Sequence, residues 1–418
     1  MPYAVSSVLS RQSASSLSNP ASSVSDQHEA VLASAITLAA RLAKTAVERD
    51  STGGHAAEER AWIHESGLLT LSIPVEFGGQ GAEWPLIFEV VRILATADSA
   101  LAHVFAFHHL QLAGIQLYGN AQQQRSLLTA SVEQPLFWGN ALNPLDRRTT
   151  ANKVEGGYSL NGIKSFSSGS VGADWLTISA WDAVTETALI AAIPANQQGI
   201  SIQADWDAFG QKQTDSGNVH FDNVFLPSEL VLQAPGQVPT AQATLRSQVA
   251  QLIMANLYLG IGQGAFDAAR AYTRDQAKAW FAAGVDQATD DPYIQHRYGE
   301  LWLLLRPAVA MADLAATELE KAFRQGPLVT AETRGRLAIS VAEAKCLAHR
   351  AGLEISSQMF ELTGARSTSA RYGYDRYWRN VRVHTLHDPI DYKLRDLAVL
   401  RSMAACLNLL HIPEGQRQ

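Results

Sequence analysis

The sequence predicts an α+β protein of several domains: a helical N-terminal part, a middle β-domain and a helical C-terminal part. Three observations carry this expectation. At 418 residues the chain exceeds what one small core organises and fits two or three domains. Apolar residues recur at steps of three and four up to residue 134 and again after residue 243. Between them stand short alternating runs punctuated by Gly, Asn, Asp and Pro, the pattern of a small β-barrel or sandwich.

Composition narrows the function classes. A hydrophobic fraction of 47% with 17% charged residues describes a globular chain with large cores. A net charge of −7 and a pI near 5.9 argue against nucleic acid or an anionic membrane as the main partner. Cys346 and Cys406 both fall in helical patterns, so neither a disulfide framework nor a zinc knuckle is indicated, and two buried thiols in a reducing compartment are expected. No uninterrupted apolar run reaches the roughly 18 residues of a membrane span. A cytoplasmic location is the default.

Residues 1–26 are rich in Ser and Ala, lack a signal-peptide core and read as a disordered tail. A helical domain is expected over 27–134, broken by the Pro- and Gly-containing loop Pro74-Val-Glu-Phe-Gly-Gly-Gln-Gly81. Its most apolar stretch, Leu101 to Tyr118, carries His103, His108 and His109. On a helix His108 shares a face with Val104, Phe105, Leu112 and Ile115, whereas His103 faces elsewhere, so the two are not expected to serve one site.

The middle domain is expected over 135–233 and a helical domain over 234–418, opening with a Pro- and Gln-rich connector. Gly260-Ile-Gly-Gln-Gly-Ala265 has the letters of a dinucleotide fingerprint. That fingerprint works only at a strand-to-helix turn, and these flanks read as helix on both sides. Close helix–helix contact is the expected role. Near the C-terminus, Arg371 to Pro389 packs four arginines, four aromatics and two histidines, His384 and His387, into nineteen positions. That density suits a site for an anionic or planar ligand. A metal site is not expected, because no third ligand stands at a convincing spacing from the two histidines.

The order helical–β–helical, with Pro74–Gly81, Leu160-Asn-Gly-Ile-Lys-Ser-Phe166 and Arg379-Asn-Val-Arg382, resembles the acyl-CoA dehydrogenase superfamily. The resemblance implies an N-terminal helical domain, a middle β-barrel domain and a C-terminal four-helix bundle, with a flavin between the last two and a homotetramer as the active unit. Two departures matter. Where dehydrogenases place their catalytic Glu, this chain reads His387-Asp-Pro-Ile390, and the adenine-holding Arg-x-x-Phe-Gly segment is matched by Gln276-Ala-Lys-Ala-Trp280. Phe166-Ser-Ser-Gly169, the Asp205–Gly217 stretch and His384-Thr-Leu-His-Asp-Pro389 are similar to one branch of the superfamily. These are the flavin monooxygenases typified by dibenzothiophene monooxygenase and the alkylsulfone and sulfinate monooxygenases of sulfur acquisition.

That resemblance implies reduced FMN supplied by a separate NAD(P)H-dependent flavin reductase. It further implies reaction with O2 through a C4a-hydroperoxyflavin and oxygenation of a small thioether, sulfoxide, sulfone or sulfinate. Such chemistry needs a proton donor and exclusion of water. His387 is the first choice for the titrating group, because an imidazole suits proton delivery near neutral pH. His108 is the second, entering the cavity from the N-terminal domain, and His384 is either structural or supporting. By resemblance Ser168 bonds the flavin, Lys164, Ser165, Phe166, Ser167 and Ser168 line its ring, and Asn140 and Ala141 meet its polar edge. Lys278 stands where relatives carry an Arg on the FMN phosphate of a neighbouring subunit, and Ala365 and Arg366 supply a second cofactor contact. Trp206 is expected in the substrate wall. Three other readings are carried along: an FAD-dependent acyl-CoA dehydrogenase using Asp388, oxygenation of an amine or indole at N or C, and a catalytically silent binding protein.

Overall fold

The computed structural model describes residues 20–134 and 136–403. The N-terminal helices are α1 (Pro20–Ala43), α2 (Ala46–Thr52), α3 (Ala57–Glu65), α4 (Trp84–Ala97), α5 (Ser99–Tyr118) and α6 (Ala121–Glu133). Residues 20–26, expected in the tail, are thus already helical: Pro20 opens α1, a position where its missing N–H costs nothing. The earlier part of that tail lies outside the described residues, as does Cys406, while Cys346 is buried.

Asp98 joins α4 to α5. Its carboxylate accepts hydrogen bonds of 3.0 Å from Ala100 N and Leu101 N and pairs with Arg49 at 2.6 Å. α5 is buried along 18 of its 20 residues, between the other N-terminal helices, the sheet and the first long helix of the C-terminal bundle. A helix covered on all sides has no polar face, so all three of its histidines lie inside.

The middle domain holds β1 (Trp138–Ala141), β2 (Thr150–Val154), β3 (Gly157–Lys164), β4 (Trp175–Asp182), β5 (Thr187–Pro194), β6 (Ile200–Ile202), β7 (Val219–Pro227) and β8 (Val231–Gln233). They form one mixed sheet in the order β6-β7-β3-β2-β4-β5-β8, with β1 parallel to β4. In β7 the buried residues are Val219 and Phe221, then Val224 and Leu226. The alternation changes phase at Asn223, whose φ of 48° marks an extra residue opposite the irregularity between Leu160 and Gly162.

The C-terminal domain comprises α7 (Leu245–Asp275), α8 (Pro292–Gln325), α9 (Ala331–Thr363), α10 (Asp375–Thr385) and α11 (Ile390–Met403). Among the described residues α7 alone is long and apolar enough to cross a membrane, but 83% of its apolar window is buried against other helices. Gly260, Gly262 and Gly264 lie within it, and no strand-to-helix turn exists there. A Cβ on Gly260 would meet Ala95 Cβ and Arg92 O at 2.6 Å, and one on Gly264 would meet Thr96 O at 2.3 Å. These glycines let α7 lie directly against the backbone of α4, the helix–helix role their flanks predict.

Gly264→Leu is therefore expected to destabilise the protein by about 1–3 kcal/mol through overpacking. Gly335→Ala, inside α9 with nothing within 4 Å of the new Cβ, is expected to stabilise it by about 0.5–1 kcal/mol. Paired thermal and urea unfolding curves check both signs.

Candidate active site

Between β6 and β7 the chain leaves the sheet and wedges between α5 and α10. The approach is close: a Cβ on Gly210 would meet Arg379 O at 2.4 Å. Gln211 follows, with φ of 54° and full burial. Its backbone N–H donates to Asn380 Oδ1 at 2.7 Å, and its side-chain Nε2 reaches Ser99 Oγ at 3.0 Å and His384 Nδ1 at 3.2 Å. Asn380 Nδ2 donates to the same Ser99 hydroxyl at 3.0 Å. Arg379 donates to Phe209 O at 2.8 Å and pairs with Asp50 and Asp375. Three domains are pinned at one point, and the Arg379–Asn380 motif is the pin.

His384 is the active-site side of that joint. Gln211 Nε2 holds the imidazole from its Nδ1 side at 3.2 Å. Burial, then the neighbouring His103 and His387, hold its pKa well below 6.5. His103 of α5 stands with its ring centroid 4.7 Å from that of His384 and stacked on Phe107 at 3.9 Å. Neither of its ring nitrogens has a partner, although the residue is buried. Burial, then His387, lower its pKa to about 3. A fully buried imidazole with both nitrogens unsatisfied is rare outside functional sites.

His108, expected in this cavity, is elsewhere. Its Nε2 donates to Leu69 O at 2.8 Å and its Nδ1 accepts from Trp138 N at 3.2 Å, so both nitrogens are engaged by backbone. It is a structural joint between the N-terminal helices and β1, and burial lowers its pKa to about 4. His109 bonds Ser72 Oγ at 2.8 Å. His103 and His384 come together across α5 and α10. His387, one turn beyond His384, is exposed, with Nδ1 3.4 Å from Asp388 Oδ1.

A hydrogen-bond chain leads from Gln211 to the edge formed by β1 and the turn 165–169. Asn140 N donates to Ser168 O at 2.9 Å. Ser168 Oγ bonds Ser216 Oγ at 2.9 Å, which bonds Thr214 Oγ1 at 2.7 Å, and that hydroxyl reaches Gln211 O at 3.1 Å. A chain of hydroxyls thus links the turn to the joint. Arg60, which the sequence did not single out, fixes the turn from α3 by donating to Val171 O and Gly172 O and pairing with Asp215 at 3.0 Å. Phe166 holds a φ of 56° and is 70% exposed, its ring 5.9 Å from Trp206, whose Nε1 donates to Gln211 O at 2.9 Å. Backbone strain at an exposed aromatic is typical of a ligand-facing turn.

Two members of the expected ring-lining run point away. Lys164 is 1% exposed and donates to Asn143 O at 3.0 Å and Asp146 O at 2.5 Å, with burial lowering its pKa to about 8. Ser167 is buried with its hydroxyl on Lys164 O at 3.3 Å. Ser165 bonds Asn218 and Arg148, and Ala141 is buried in β1. Lys278, in a segment bridged to Gln287, and Ala365 with Arg366, in a short turn after α9, are exposed and lie outside the histidine cluster. The carboxylate in the dehydrogenase-base position is bound up. Burial would raise the pKa of Asp388, but the hydrogen bond from His387 and the charges of Lys345 and Lys393, both in direct contact, hold it far below the carboxylate range.

Three domains close on buried histidines kept neutral by desolvation, beside a carboxylate, Asp388, held by two lysines. The chain belongs to the acyl-CoA dehydrogenase family. The models of that family's N-terminal, middle and C-terminal domains match residues 25–134, 140–224 and 252–392. A probable FMNH2-dependent monooxygenase, SfnC of Pseudomonas putida, is 45% identical over 367 residues, 88% of this chain and 93% of the relative. Methanesulfinate monooxygenase MsuC from Pseudomonas fluorescens matches with TM-score 0.88 and 44% identity, covering 90% of this chain and 97% of that one. FMN-bound TdsC from Paenibacillus sp. A11-2, a dibenzothiophene monooxygenase, matches with TM-score 0.87 and 36% identity over 90% of this chain and 98% of that one.

The buried histidines make stability depend on pH. With His103 at about 3 and His108 at about 4, the unfolded chain binds protons below pH 6.5 that the fold refuses. Stability is therefore full above that pH and falls as the pH drops, by about 1.4 kcal/mol per pH unit for each such histidine. His103→Phe is expected to remove about one proton's share of that slope between pH 4 and 6. Urea midpoints measured across this range for both proteins read it out.

Proposed function

We propose that the protein is a two-component monooxygenase that receives reduced FMN from a separate NAD(P)H-dependent flavin reductase. It uses O2 to place one oxygen atom on a small organosulfur compound. The observation that carries this reading is the exchange of a carboxylate base for neutral imidazoles: His103 and His384 face each other while Asp388 is held by two lysines. The names of SfnC, MsuC and TdsC point the same way.

The residues fit a bound flavin. His103 presents two buried nitrogens without partners, and the edge formed by β1 and the turn 165–169 carries the Asn140 amide, the Ser168 hydroxyl and the exposed aromatic Phe166. Asn140, Ala141 and the 165–168 turn would hold the ring. Lys278, Ala365 and Arg366, exposed in the single chain, would meet the phosphate end across a homotetramer interface. Reduced FMN supplies the two electrons that activate O2, one oxygen atom going to substrate and the other leaving as water.

The chain's own work is to hold protons and exclude water. Gln211 holds the His384 ring from its Nδ1 side. His387 lies on the open side of the same cluster, with its Nδ1 3.4 Å from Asp388 Oδ1. Phe107, Phe166 and Trp206 are the apolar walls. An acyl-CoA dehydrogenase would need a carboxylate able to take a proton, and Asp388 fixed between lysines is a poor one.

Photoreduced FMN, 18O2 and candidate sulfur compounds, mixed with the purified protein, test the assignment. Label in the product supports it, and absence of labelled product from every sulfur compound rejects it. His387→Ala is expected to lower labelled product by about 100-fold or more, raise H2O2 release and leave FMN affinity nearly unchanged. Lys278→Ala is expected to weaken FMN binding by roughly tenfold, read by fluorescence titration.

A further inference from the structure

Arg246, in the first turn of α7, is 8% exposed and has no carboxylate within ion-pair distance among the described residues. Its Nη2 donates to Gln111 Oε1 at 2.9 Å and lies 3.4 Å from Asn140 Oδ1, while Nε is buried without a partner. Nη1 of Arg246 and Nδ2 of Asn140 also make no hydrogen bond within the described chain. Gln111 is already held by Thr177 at 2.6 Å, so its amide is fixed against the guanidinium. The other buried arginine lacking a carboxylate, Arg334, differs: it donates to Thr244 Oγ1 and Ser247 Oγ, and no atom of it is orphaned.

The position relative to the histidines matters. His103, Phe107, Gln111 and Gly114 follow one another at steps of four and three, so they share one stripe of α5. The stripe begins at the unpartnered imidazole and ends where Arg246 meets Gln111 and Gly114, whose absent side chain leaves room for the guanidinium: a Cβ there would lie 3.3 Å from Nε. Phe107, stacked on His103, is the apolar stretch between the two ends. A buried cation wants an anion, and none is supplied by the protein.

We propose that Arg246 and Asn140, with Gln111 Oε1 holding the guanidinium in place, form an oxyanion-binding subsite, and that the substrate is a small organosulfur anion such as an alkanesulfinate. The proposal rests on the monooxygenase reading above, in which Asn140 faces the flavin, and adds the charge of the substrate to it. The anionic head lies on the guanidinium and the Asn140 amide, and the alkyl part faces Phe107. For a sulfinate the balance is one new S–O bond from O2 to give the sulfonate. The second oxygen leaves as water with two protons, and reduced FMN gives up the two electrons.

Binding of methanesulfinate and of neutral dimethyl sulfone to the protein with FMN present, measured by calorimetry and thermal shift, tests the subsite. Methanesulfinate is expected to bind and to raise Tm, dimethyl sulfone to do neither. Arg246→Gln is expected to weaken methanesulfinate roughly 10- to 100-fold with FMN affinity changed less than about threefold. Equal binding of the neutral sulfone overturns the proposal in the wild type alone, whether or not the variant folds. Loss of FMN rather than methanesulfinate in Arg246→Gln also overturns it, because the guanidinium then serves the flavin. Oxygenation of neutral sulfur compounds without methanesulfinate binding would sink the subsite and leave the monooxygenase standing. Failure of all oxygenation would sink the function itself.

Discussion

Gln211 is held in a conformation that ordinary residues avoid, and most of the site depends on its staying there. A φ of 54° on a buried, non-glycine residue costs about 1–3 kcal/mol and persists only when its surroundings over-determine it. The surroundings do so from three domains at once, through Ser99 at the start of α5, Asn380 and His384 on α10, and the sheet loop that carries Gln211 itself. The same residue holds the His384 ring and, through its carbonyl, anchors Trp206 and the hydroxyl chain from Ser168. In a low-dielectric joint such a network is worth most when every member is in place, so the geometry of the site and the packing of the domains are one problem.

The polar chemistry around this joint follows from burial. Imidazoles removed from water stay neutral, which lets His384 and His103 stand face to face at ring-stacking distance without repulsion. Carboxylates removed from water survive as anions only beside cations. Asp98 has Arg49, Asp215 has Arg60, and Asp388 has Lys345 and Lys393.

Periodicity made the order of domains legible, because an amphipathic helix and a half-buried strand write their burial into the spacing of apolar residues. The glycines of α7 were legible for the same reason: helix on both sides left close packing as their use. His103 and His108 were not. Both lie on a helix with no exposed face, so periodicity cannot rank them. What separates them is supplied by Leu69 and Trp138, 39 and 30 residues away in the chain, which occupy His108 and leave His103 alone. Lys164 misleads similarly, since a lysine in an alternating strand looks solvent-facing until the 143–146 loop folds over its ammonium. Gln211, in a run of Gly, Gln, Lys and Thr, looks like any polar loop; only the close approach of Gly210 to Arg379 brings it into the joint.

The buried carboxylates at the joint are matched by cations, and the histidines carry no charge, so the fixed charge facing Asn140 is that of Arg246. Burying a guanidinium without a counter-ion destabilises a fold, and a Leu or Met in the first turn of α7 would pack there at lower cost. A protein keeps such a group when something outside the chain completes it. The stripe of α5 that starts at His103 ends at this residue, about 12 Å further along the helix axis.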